Sequence, residues 1–232
     1  MLKRINFQDL FIYLKYPNQE EQYDINSISV FLRLVWKSVL LLIGIDIIAG
    51  IIIVMPLSSF NLYPSLKEVK FTSINILKIT LLFPIVEELI FRLPLKIRKI
   101  NFATSLSLIL LLVLNKWYNF NVYLALIFSV VLFLSLYLAI RGKSSFIIKL
   151  NSFFTTNFWS IFYLQAMIFG FLHLSNYAVD YKYFYLFPFI VLSYISKGCL
   201  LGYLRIRFTK GIYLCIASHI VANSLYCFFL AM

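Results

Sequence analysis

The sequence predicts an all-α, polytopic membrane protein: about seven transmembrane helices preceded by an amphipathic helix at the membrane interface. Three observations carry this. Hydrophobic residues make up 62% of the 232-residue chain and charged residues 13%, about half the charged fraction of an ordinary soluble domain. Apolar runs near the ~20 residues needed to cross a bilayer recur along the chain. Lys and Arg collect in alternate connections between those runs, as they do in cytoplasmic loops. A soluble domain of this size has no interior large enough for so much apolar surface, so the bilayer acts as solvent for most of it.

Residues 1–30 form an amphipathic N-terminal segment. Phe7, Leu10, Phe11 and Leu14 recur at helical spacing among Lys3, Arg4 and Lys15, the pattern of a helix lying on a membrane surface. Pro17 and the acidic Glu20, Glu21 and Asp24 end it. The segment lacks the apolar core of a cleavable signal peptide, so the first span is expected to do the targeting. Residues 31–232 form one helical membrane domain, with spans expected at 31–55, 74–93, 101–118, 119–140, 158–176, 184–204 and 211–231. Their connections hold Pro, Asn, Ser and charges, as in 94–101, 141–157 and 205–210. No internal repeat stands out.

The basic clusters Lys96/Arg98/Lys99, Arg141/Lys143/Lys149 and Arg205/Arg207/Lys210 alternate with basic-poor connections. The positive-inside rule then puts the N-terminus in the cytoplasm and the C-terminus outside, a parity that seven spans satisfy; a multi-pass plasma (inner) membrane protein is expected. The formal net charge of +12 is read as this topology signal, with no nucleic acid as partner. Cys199, Cys215 and Cys227 sit in apolar stretches without CxxC spacing and read as small buried hydrophobes.

Ionisable groups within spans are costly, at least ~2.5–3.5 kcal/mol for an unpaired charge at mid-bilayer, and so point to function. Deep in the spans these are Asp46, Lys78, Glu87, Glu88, Arg92, Lys197 and both histidines of the chain, His173 and His219, with Lys37 near an end. Asp46 is expected to pair with Lys78 or Lys197 of another span. Glu88 and Arg92, Phe169 and His173, and His219 and Asn223 are each four apart, which stacks both members on one helical face. Glu88 is expected to pair with Arg92. Glu87 projects ~100° away from Glu88, so the two carboxylates are not expected to serve the same contact. By rise per residue, Glu87 and His219 fall ~10–12 Å from the basic side and His173 ~20 Å.

Glu87-Glu88-Leu-Ile-Phe-Arg92, Phe169-Gly-Phe-Leu-His173 and His219-Ile-Val-Ala-Asn223, in this order, resemble the three signature motifs (EExxxR, FxxxH, HxxxN) of the CAAX-processing and bacteriocin-processing (CPBP, or Abi) intramembrane proteases. The resemblance covers roughly 74–231. It departs in Leu93-Pro94, where the family often has Gly, and in the apolar hairpin 101–140. It implies an endopeptidase of CAAX prenyl protease type, with a peptide or membrane-protein substrate in the lipid bilayer. Glu87 and His173 would activate a water, His219 and Asn223 would stabilise the oxyanion, and Glu88–Arg92 would be a supporting ion pair. The chemistry is coherent, because peptide hydrolysis needs a base for water and donors for a tetrahedral oxygen. Glu87, His173 and His219 are also a possible zinc set. Two other classes fit the same residues: a proton-coupled transporter using Glu and His as a relay, and a non-catalytic immunity or scaffold protein.

Overall fold

The computed structural model describes residues 7–21, 23–60, 62, 64, 72–96, 98–118, 121–141, 144–177 and 181–231. Lys3, Arg4, Lys143 and Asp180 lie outside the described residues. Within them the chain is all-helical with no strand; the one isolated bridge joins Tyr23 to Phe208.

Helix α1 (Phe7–Lys15) is followed by α2 (Ile28–Ser59), which begins at Ser27, whose hydroxyl accepts from the Val30 amide as N-cap residues do. Then come α3 (73–91), α4 (Lys99–Tyr118), α5 (Val122–Arg141), α6 (Ser144–Thr156) and α7 (Phe158–Leu172). Tight turns at His173–Asn176 and Tyr181–Leu186 lead to the short α8 (Phe187–Ile190), α9 (Leu192–Arg207) and α10 (Gly211–Ala231). Among the described residues all seven apolar segments are therefore mainly helical. Four helices, Ile28–Ser59, Val122–Ile140, Phe158–Asn176 and Gly211–Phe229, are long and apolar enough to cross a membrane, and a fifth if the pair Phe184–Ile190 and Leu192–Arg207, bent by 41°, is one span. Length and composition thus do not establish seven crossings: α3 carries Lys78, Glu87 and Glu88, and the apolar part of α4, Lys99–Asn115, is shorter.

Two helices widen locally, α2 at Gly50–Val54 and α3 at Lys78–Leu82, where the Met55 and Phe83 amides bond back five residues to Gly50 and Lys78. Each wide turn is followed by a proline, Pro56 or Pro84. A proline ring clashes with the carbonyl four residues earlier and brings no N–H, so the helix relieves itself by an extra residue in the turn.

Helix α9 is the axis of the core, buried from Gly198 to Arg207. It crosses α7 closely: a Cβ built on Gly198 would sit 3.2 Å from the Ala166 Cα, and one on Gly202 would sit 2.6 Å from the Phe162 ring. Small residues four apart let membrane helices approach at the backbone, so Gly198-Cys-Leu-Leu-Gly202 is a packing signal that hydropathy alone does not reveal. The hairpin α4–α5 is lateral. It turns Leu126, Ile127, Val130, Val131, Leu134 and Leu138 outward, the apolar surface a lipid-facing helix needs. Ser38, Ser107 and Ser129 satisfy their buried hydroxyls on carbonyls four residues back.

The N-terminal segment is anchored to the protein as well as amphipathic. Tyr13 is fully buried and packs edge-on against Phe162 and Tyr203, and Asp9 binds Arg207 at 3.0 Å and the Tyr203 hydroxyl at 2.7 Å. Phe11 and Ile12 stay exposed on the opposite face. Beyond α1 the chain continues as a strap. Tyr23 exchanges backbone bonds with Arg207 and Thr209, Glu21 pairs with Lys96, and Gln19 meets Leu95 and Thr155. The connections at 94–96 and 205–210 thus lie together at one end of the bundle, beside the N-terminal segment. The stretch 141–157, expected as a connection, contains the 13-residue helix α6. Its apolar residues Phe146, Ile147, Leu150, Phe153 and Phe154 have helical spacing but are interrupted by Ser, Lys and Asn, so the stretch holds an amphipathic helix and no continuous apolar run.

Candidate functional site

The polar residues of α3 and α10 meet inside the bundle. Glu88 is fully buried, with Arg92 one turn on and also buried. Their side chains approach to 3.3 Å, Glu88 Oε2 to Arg92 Nε, as a charge contact without hydrogen-bond alignment. The pairing expected from the four-residue spacing is therefore present. Arg92 is further held by Phe169 of α7, whose ring centroid lies 4.8 Å from the guanidinium carbon. The Arg92 carbonyl, at the end of α3, accepts from Arg205 Nε at 2.9 Å, so one buried arginine closes the helix that carries the other.

His219 reaches from α10 to both carboxylates. Its Nδ1 lies 2.9 Å from Glu88 Oε1, and its Nε2 lies 3.9 Å from Glu87 Oε2. The two adjacent glutamates serve different contacts, as expected, but both of these contacts fall on the same imidazole. The imidazole carries nitrogens on two corners, so carboxylates diverging by ~100° each meet a different corner. The first contact is a hydrogen bond and the second is too long for one. Glu87 is partly exposed, its side chain 30% accessible against none for Glu88. The inner carboxylate thus holds the imidazole and the outer one stays partly accessible.

His173 sits one layer beyond. Helix α7 tightens at its end, where the His173 amide bonds to Gly170 and Phe171. Phe169 is among the last four carbonyls of the helix, which have no regular amide partner, and His173 Nδ1 takes that carbonyl at 2.7 Å. A carbonyl only accepts, so Nδ1 carries a hydrogen. The Phe169 ring lies between the two imidazoles, centred 4.6 Å from His173 and 6.2 Å from His219. The ring thus touches both imidazoles and links His173 to the α3–α10 contacts. Tyr194 of α9 stacks on His173 at 4.3 Å, and Lys197 lies over the Tyr194 ring at 4.4 Å. Lys197 pairs with Asp46 at 2.9 Å, and the Tyr226 hydroxyl donates to the same carboxylate. Between the two lysines open from sequence, Asp46 takes Lys197, which joins α2, α9 and α10. Tyr194 and Tyr226 carried no motif and are legible only once these helices are packed.

Asn223, one turn after His219, donates from Nδ2 to the Ile79 carbonyl at 3.0 Å, in the wide turn of α3. Glu87, Glu88, Arg92, His219 and Asn223 are thus joined across the α3–α10 seam, and His173 adjoins them through Phe169. Glu87, His173 and His219 do not assemble as a zinc set: among the described residues no three His, Cys, Asp or Glu side chains converge as metal ligands. His219 directs both nitrogens at glutamates, and His173 spends Nδ1 on its own helix, so this geometry does not fit a metal. Cys199, Cys215 and Cys227 are buried free thiols.

Fold and site together define a helical membrane protein with a cluster of ionisable side chains buried between its helices. No family model, no curated protein and no solved structure matches the chain.

Proposed function

We propose that the protein is an intramembrane endopeptidase of the CPBP type, crossing the plasma (inner) membrane seven times with its N-terminus in the cytoplasm. The observation that carries the reading is His219 held by buried Glu88 on one corner while its other corner faces the more exposed Glu87. A water beside that second corner reaches both Glu87 Oε2 and His219 Nε2. Glu87 takes its proton as the hydroxyl attacks the peptide carbonyl, and the proton passes to the leaving amine. Glu88 and Arg92 fix the imidazole, an orienting role of the kind buried carboxylates serve for histidines elsewhere. His173 lines the far side of the site. The substrate is a peptide, or the end of a membrane-associated protein, entering from the basic end of the bundle.

The test is cleavage of a peptide library by purified protein in detergent. Glu87→Gln keeps volume and an acceptor but takes no proton, and is expected to lower the rate by ~10²–10⁴ with the unfolding transition unchanged. Cleavage by Glu87→Gln at the wild-type rate refutes the base assignment. If the purified protein cleaves nothing while Glu87→Gln blocks proton-driven uptake of a solute, the transporter class replaces the protease.

A further inference from the structure

We infer that Asn223 is a positioning residue: its amide supplies the hydrogen bond that Pro84 cannot make, and so holds the glutamates of α3 against His219. In the wide turn of α3 amides donate five residues back, as Phe83 does to Lys78. The next amide in that register would be residue 84, donating to Ile79. Residue 84 is a buried proline and has no N–H. The Ile79 carbonyl therefore lacks its backbone donor, and a carbonyl without a partner at membrane depth is costly. Asn223 Nδ2 donates to that carbonyl at 3.0 Å.

The bond is placed to matter. His219 and Asn223 are one turn apart on α10, and their partners Glu88 and Ile79 lie on either side of Pro84 on α3. Two rungs therefore span the same helix pair, one holding the wide turn and one holding the carboxylate. The wide turn inserts an extra residue, and one residue is ~100° of rotation. Whether the turn stays wide decides which way Glu87 and Glu88 point. Asn223 accordingly acts on the reaction through α3, in place of the oxyanion role that the family resemblance gives it.

Pro84→Ala separates the two roles because it returns an N–H to the backbone. The experiment is a cycle of Asn223→Ala, Pro84→Ala and the double variant in the full-length protein, reading both the unfolding equilibrium and peptide hydrolysis. With Pro84 present, Asn223→Ala is expected to lower the folding equilibrium constant roughly tenfold to a hundredfold, the effect of orphaning one buried carbonyl. In the Pro84→Ala background, the same substitution should cost no more than about threefold. The kcat loss of Asn223→Ala, expected at about a hundredfold for a misplaced catalytic group, should shrink to within about fivefold of Pro84→Ala alone, with KM little changed. An oxyanion donor predicts the opposite, a kcat loss that persists in full in the Pro84→Ala background. That result, or equal destabilisation by Asn223→Ala in both backgrounds, overturns the inference. If Asn223→Ala does not fold with Pro84 present, recovery of folded protein on adding Pro84→Ala is the expected result, and failure to recover it overturns the inference. The kinetic arm rests on the protease reading. If wild type hydrolyses no peptide, that reading falls, and the unfolding cycle still decides the role of Asn223.

Discussion

Replacing Arg92 by Met tests whether Glu88 and Arg92 form one electrostatic unit. The side chains are 0% and 1% exposed, so neither charge is served by water. Met fills much of the volume and removes the guanidinium, leaving Glu88 with His219 alone at 2.9 Å. Breaking a buried pair from one side typically costs about 3–5 kcal/mol, mostly the penalty of the stranded charge. Glu88→Gln strands Arg92 instead, although Phe169 still covers the guanidinium at 4.8 Å. It should cost toward the lower end of that range, because a face-on ring offsets up to about 2 kcal/mol for a desolvated cation. The double variant removes both charges, and Gln still offers His219 an acceptor. It should cost less than either single, with a coupling of at least about 2 kcal/mol. The assay is reversible SDS unfolding in mixed micelles, followed by near-ultraviolet circular dichroism. Single costs below about 1 kcal/mol, or a double variant equal to the sum of the singles, would refute the reasoning, since uncoupled charges behave additively.

Gly198→Leu should destabilise the protein by about 1–3 kcal/mol through overpacking, because even a Cβ there meets Ala166 at 3.2 Å; unfolding at the wild-type SDS fraction would contradict the close α7–α9 crossing. Docking of α1 should weaken in acid. Burial pulls the Asp9 carboxyl up, but hydrogen bonds from Tyr203 and Tyr23 and the Arg207 charge outweigh it, leaving its pKa below the ordinary 3.8. A depressed folded-state pKa stabilises above the unfolded value and is lost as pH falls through the folded one. Amide exchange in α1, corrected for intrinsic rates, should therefore show more opening at about pH 3 than at about pH 6, and Asp9→Asn should abolish the difference. Lys210, exposed at the end that gathers the basic connections, is expected to be cytoplasmic. Lys210→Cys should react with a membrane-impermeant thiol reagent only after cells are permeabilised, and labelling of intact cells would reverse the assigned topology.

What the sequence determines by itself is what short-range spacing encodes. The apolar segments are helices because a long apolar run must satisfy its own backbone wherever water is excluded, and only a helix does so within one segment; four of them are long and apolar enough to cross a membrane, or five with the bent pair. The Glu88–Arg92 contact is legible because four residues make one turn. What only the tertiary structure decides is every relation between helices. His219 bridging Glu88 and Glu87 requires α10 beside α3, and no spacing within either helix specifies that neighbour. Asp46 choosing Lys197, Tyr194 stacking on His173, and α1 locking through Asp9 to Arg207 across 198 positions are of the same kind. The wide turn of α3 is intermediate. Pro84 announces a disturbed helix in the sequence, but the donor that completes it, Asn223, comes from a segment more than a hundred residues away. Periodicity fixes which face of a helix is polar; the packing of apolar surfaces around α9, brought close by Gly198 and Gly202, fixes which polar faces meet.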